Sequence, residues 1–278
     1  MTTTTMHYTD FLKSKVRLAN HDGFDIDLEE VSPLIKKHNR LMVQWLVRGG
    51  RRACFARFGL HKTVTQLEAV RCTLKRTGGR GIIVCPLNVR AEFINDAVNI
   101  LKWETPPKFI RSIEETSETG IYITNYETIR EGKLDPRLFN VSSLDEASIL
   151  RGFGGSKTFR EFMKLFTGDG GPLGDRKGTH RVNYRFVATA TPSPNEYIEL
   201  LAYADFLGIM DVSQAKTRFF KRDSTHADKL TIYPHKEEEF WLWVAAWALF
   251  VSLETLKMIA VMNSKILLRH PLAFTGTK

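Results

Sequence analysis

The chain has 278 residues, 43% of them hydrophobic, which suits one large soluble domain or two small ones around a buried core. A net charge of +9 favours a polyanionic partner, although a basic surface also serves solubility alone. Cys54, Cys72 and Cys85 lack the paired spacing of a disulfide or zinc framework and read as reduced core residues, and no apolar run is long enough to span a bilayer.

Residues 1–31 read as an N-terminal arm. Met1 to Met6 is threonine-rich and lacks the basic and apolar regions of a secretory signal, so a cytoplasmic setting is expected. Phe11, Val16 and Leu18 suggest a short helix ahead of an acidic stretch after Asp22, and the arm is expected beside the cleft of the domain that follows. Over residues 32–210, strands are expected at Arg52–Ala56, Gly81–Cys85, Lys108–Ile110, Ile121–Thr124, Val141–Leu144 and Tyr184–Ala188. Helical patterns alternate with them, as a parallel sheet with crossovers requires. Residues 211–278 read as a helical C-terminal extension, with Phe240 to Leu253 a buried helix before Glu254 and Lys257.

Chemistry is concentrated after three of these strands. The first runs into Gly59-Leu-His-Lys-Thr63 and then a helix with Val64, Leu67, Val70 and Leu74 along one face. A loop between strand and helix turns its amide N–H groups inward, and the helix N-terminus adds partial positive charge where a triphosphate would sit. In such a loop Gly59 and Leu60 supply backbone, Lys62 reaches the β- and γ-phosphates, and the Thr63 hydroxyl ligates magnesium. His61 replaces the expected last glycine, and a side chain there crowds the phosphates and disfavours the loop's backbone angles. The second element is Asp145 and Glu146 at the end of the strand from Val141. In phosphate-loop enzymes the first carboxylate holds magnesium, usually through water, and the second orients or deprotonates the attacking water. Ser142 and Ser143 make this a poorer buried strand than expected. The third element, Phe186 to Asn195, is an apolar strand ending in threonines, followed by a proline-rich turn.

Together these segments resemble motifs I, II and III of superfamily two helicases in the Swi/Snf-like branch, most closely its short phage and bacterial DEAD-like members. The resemblance runs over roughly residues 8 to 250. Ile82 to Leu87 is similar to motif Ia, Ile121 to Glu127 to the family's Thr-Asn-Tyr-Glu segment, and Glu199 to Gly208 and Phe240 to Trp247 to stretches that follow motif III. The resemblance implies an α/β fold, a RecA-like P-loop NTPase lobe with a parallel β-sheet flanked by helices, with ATP and Mg2+ as ligands. It implies Asp145 as holder of the metal-bound water and Glu146 as the residue on the attacking water. Lys37 to Arg40 and Trp45 occupy the adenine-reading segment, with Asn39 where glutamine would stand.

DNA is the implied partner, gripped by its backbone at loops rimming the carboxyl ends of the strands, and Arg90, Lys157, Thr158 and Asn195 lie at or near those loops. The glycine-rich stretch from Gly168 to Gly178 reads as a surface connection or a further DNA contact. Trp241, Trp243 and Trp247 stand at helical spacing and read as core rather than base-stacking residues. Motors of this kind carry a second lobe with an arginine finger, worth about 10³–10⁵ in turnover. Arg218, Arg222 and Arg269 cannot be given that role from sequence. The expectation is therefore an ATP-binding lobe unable to unwind or translocate alone, completed by a second-lobe chain and located in the bacterial host cytoplasm if phage-encoded. The alternatives are a catalytically silent DNA-binding or protein-interaction module, or a truncated remnant.

Overall fold

The computed structural model describes residues 19, 21–147, 157–168, 182–192, 197–222, 230–252 and 254, with the side chains of 157–161 outside that description. Seven strands form one sheet in the order β3-β4-β2-β5-β6-β1-β9, every neighbouring pair parallel. In chain order they are β1 (Arg51–Ala56), β2 (Arg80–Val84), β3 (Lys108–Phe109), β4 (Gly120–Thr124), β5 (Val141–Asp145), β6 (Tyr184–Thr189) and β9 (Ala248–Val251). A separate antiparallel hairpin pairs β7 (Phe220–Arg222) with β8 (Leu230–Ile232). The six strands expected from the sequence are all present, their backbone groups paired across the sheet.

Helices cover both faces. On one lie α1 (Lys37–Gly49), α2 (Lys62–Thr77) and α3 (Arg90–Asn99), packed through Val43, Val47, Val64, Leu67, Val70 and Phe93 onto Cys54, Ile83 and Phe186. On the other lie α4 (Tyr126–Arg130), α5 (Lys157–Thr167), α6 (Leu200–Phe206), α7 (Val212–Phe219) and α8 (Glu237–Ala245), against Phe55, Ile82, Val84 and Val187. Successive strand residues point to opposite faces, so Cys54 and Phe55 belong to different cores. All three cysteines are buried and free, and burial pushes the Cys54, Cys72 and Cys85 thiols up to about 12, 11 and 12.

Two expectations are corrected. The apolar run from Phe240 does not stay helical to Leu253: α8 ends at Ala245, and Ala248–Val251 joins the sheet beside β1. The C-terminal portion thus closes one sheet edge and also supplies the hairpin. Within β5, Ser142 and Ser143 are completely buried, and Ser143 is accommodated because its hydroxyl donates to Gln66 Oε1 at 2.7 Å. The described part of the arm packs along α1, where Arg40, next to Asn39, donates to the Leu28 carbonyl. Asp22 and Phe24 bond Gly49 and Val47 at the end of α1, Asp22 pairs with Arg51 at the start of β1, and Arg71 of α2 donates to the Glu30 carbonyl. The arm's expected helix over residues 11–18, most of the glycine-rich stretch, Asn195 and Arg269 lie outside the described residues. Trp243 and Trp247 are buried in the core, in edge-on contact with each other, and Trp241 is partly buried against Phe240. Among the described residues no helix is long and apolar enough to cross a membrane.

Candidate nucleotide site

A wholly parallel sheet brings the carboxyl ends of its strands to one edge, where ligands of open α/β folds bind. The strand order then decides which loops are neighbours. β6 lies between β5 and β1, with Asp145 in register with Ala188 and Phe55 in register with Thr189. The three chemistry-bearing segments are therefore adjacent.

The loop from Arg57 to His61 leads from β1 into α2, whose N-terminus carries Lys62 and Thr63 and whose first turn has no acidic residue. An anion there meets unpaired backbone N–H groups and the positive end of a four-turn dipole. Gly59 takes φ 79°, and a Cβ at this position would meet nothing within 4 Å, so glycine is required by backbone angle rather than by crowding. His61 takes φ 52° and ψ 52°, the left-handed conformation, with no side-chain bond to cap the helix. His61 thus takes a positive-φ backbone that favours glycine.

Asn39 of α1 is buried beneath the loop. Its Nδ2 donates to the Leu60 carbonyl at 2.9 Å, to Thr65 Oγ1 at 3.0 Å and to the His61 carbonyl at 3.4 Å. The side chain expected to read adenine has its amide committed to bracing the phosphate loop. Leu60 is buried beside it, whereas Phe58 is 74% exposed, with the Lys62 ammonium 4.9 Å from its ring centroid.

Asp145 ends β5 and is buried. Burial raises its carboxyl, the charges of Glu146 and Glu92 add to the rise, and the Gln66 hydrogen bond and Lys62 oppose it, leaving it at about 6. Lys62 is thus within electrostatic reach of Asp145. Gln66, one turn into α2, donates from Nε2 to Asp145 Oδ1 at 2.7 Å while accepting from Ser143, and Tyr126 Oη donates to the Asp145 carbonyl at 2.7 Å. Glu146 also has positive φ, 46°, and accepts from Thr189 Oγ1 at 3.2 Å. Two of the three described non-glycine residues with positive φ, His61 and Glu146, flank this site, where backbone strain characteristically accumulates.

The donor set suits the implied ligands. Thr63 Oγ1 and the Asp145 carboxylate are hard oxygens of the kind magnesium takes in small number alongside water and phosphate. The Thr63 hydroxyl donates to Glu92 Oε1 at 2.9 Å. Sequence reasoning missed Gln66, Glu92 and the Tyr126 hydroxyl. Gln66 left a signal as a polar residue one turn from Thr63 inside an otherwise buried helix; Glu92 left none.

Of the expected nucleic-acid contacts, Arg90 begins α3 at this same edge, its guanidinium 4.8 Å from the Phe109 ring centroid. Lys157 and Thr158 open α5, with their side chains undescribed. The Arg218 guanidinium donates to Glu239 Oε1 at 2.6 and 2.9 Å and ties α7 to α8.

No protein-family profile and no curated protein matches the chain in sequence. Solved structures do match. The Sulfolobus solfataricus SWI2/SNF2 ATPase core in complex with dsDNA superposes with a TM-score of 0.58 at 15% identity, over 89% of this chain and 48% of that one. The same organism's SWI2/SNF2 ATPase core domain gives 0.49 at 15%, over 71% and 42%, and the UvsW helicase from bacteriophage T4 gives 0.46 at 13%, over 74% and 67%. The chain spans about half the length of the first of these. Its fold is RecA-like: a parallel seven-stranded sheet with helices on both faces.

Proposed function

We propose that the chain is the ATP-binding lobe of a Swi/Snf-like DNA translocase or helicase of the phage and bacterial type, centred on residues 32–210 with β9 completing its sheet. The observation that carries this reading is the adjacency, across β5, β6 and β1, of a strained phosphate-type loop with the Asp145–Glu146 pair and Thr189. The N-terminus of α2 and Lys62 would take the β- and γ-phosphates, and Thr63 and Asp145 would hold magnesium. Magnesium, when bound, neutralises phosphate charge. Glu146, fixed by Thr189, is positioned to orient a water and accept its proton. DNA would lie along the same edge with its backbone at Arg90, and the fold's likeness to a core solved with dsDNA supports that partner. Unwinding and translocation are assigned to an assembly that includes a second lobe, since a single lobe cannot grip a strand in alternation.

A second reading, a DNA-binding or protein-interaction module that no longer uses nucleotide, is favoured by the side chain and strain at His61. Calorimetric titration of magnesium-ATP into the folded chain separates the two. Saturable binding abolished in Lys62→Ala supports the first reading, and absence of heat with a folded chain supports the second.

A further inference from the structure

The Thr63 hydroxyl has one proton and two lone pairs. In a phosphate loop the lone pairs face the cation, so the proton needs an acceptor on the other side. Asp145, whose Oδ1 receives Gln66 Nε2, is the acceptor the adjacent strands would suggest. The Thr63 proton goes instead to Glu92 Oε1 at 2.9 Å, from the first turn of α3, an element outside the three chemistry-bearing segments. Glu92 thereby adds a further negative charge beside Asp145 and Glu146, and Asp96 stands one turn farther along the same helix. Lys62 and the helix N-terminus attract a polyphosphate into this surround, whereas the carboxylates repel one that arrives without a cation.

We propose that Glu92 is a positioning residue that orients the Thr63 hydroxyl toward a divalent cation and, by its charge, makes nucleotide binding conditional on that cation. This rests on the nucleotide-binding reading above. It is not a ligand role: Glu92 acts through Thr63 and through the field it imposes on the phosphates.

The test is the affinity of a non-hydrolysable β,γ-imido analogue of ATP, measured in magnesium and in excess EDTA, for the wild-type chain, Glu92→Gln and Glu92→Ala. Circular dichroism melts accompany each variant. Glutamine keeps an oxygen to accept the Thr63 proton but removes the charge. The ratio of magnesium-bound to metal-free affinity is expected to fall about five- to tenfold in Glu92→Gln, as one charge across a partly solvated gap allows, driven by tighter metal-free binding. Alanine removes both functions, so it should in addition weaken the magnesium-bound form. An unchanged ratio in folded Glu92→Gln, or equal weakening of both forms, overturns the proposal while leaving the nucleotide site standing. A folded wild-type chain that binds the analogue in neither condition overturns the nucleotide-binding reading and this inference together.

Discussion

His61 holds a left-handed backbone that costs an ordinary L-residue about 1–2 kcal/mol, and its side chain makes no capping bond in return. His61→Gly should therefore raise stability by about 0.5–1 kcal/mol after allowing for glycine's greater freedom in the unfolded chain. It should also tighten nucleotide binding, read by thermal denaturation and calorimetry; a loss of stability would show that the imidazole makes a native contact worth more than the strain. Tyr126 makes the converse case. Its buried hydroxyl satisfies the carbonyl of Asp145, so Tyr126→Phe should cost about 1–3 kcal/mol in urea denaturation, with an unchanged midpoint showing that another donor takes over. Lys62, Thr63, Asp145 and Glu146 stand out in the sequence because each sits in a short contiguous pattern, and the order of β5, β6 and β1 brings their segments side by side. Gln66 and Asn39 were not legible in their actual roles, since their partners lie 79 and 21 residues away and only the folded sheet and helices bring them together.

At the scale of elements, α6 carries a group in an unfavourable place. Asp205 is half-buried near the helix's C-terminal end, and its Oδ1 is enclosed with no partner among the described residues. Burial raises its carboxyl to about 7, Asp211 adds to the rise, and Arg185 opposes it. A carboxyl that binds its proton more tightly folded than unfolded contributes stability that is complete below the unfolded value near 4 and is lost as pH rises through about 7. Asp205→Asn should flatten the fall in stability between those limits and raise stability at pH 8 by about 1–2 kcal/mol, once partial solvent access is allowed for. Equal pH slopes for the two proteins in denaturant titrations would refute it. Elements also show why part of the fold was readable and part was not. Val64, Leu67 and Val70 mark α2 by their spacing, whereas Phe240 to Val251 is apolar almost throughout. Such a run has no period to separate helix from strand, and tertiary pairing with β1 decided where α8 stops.

The whole molecule turns on β1, which has a strand on each side only because β9 is present. A chain ending at Ala246 would leave an unpaired edge carrying Ala53 and Phe55, and it should lose soluble yield and scatter light where the longer chain remains clear. On the proposed reading, duplex binding should weaken steeply with salt, and Arg90→Ala should reduce the slope of log affinity against log salt by about 1; an unchanged slope would place the DNA elsewhere. The position of β1 has a further consequence during synthesis. Its neighbours in the sheet are Tyr184–Thr189 and Ala248–Val251, so the strand that launches the phosphate loop leaves the ribosome early and waits for both. β2 and β4 can pair much sooner. On the proposed reading, the nucleotide site is thus among the last features to form, and a nascent chain should become competent for ATP only once both partners of β1 have emerged.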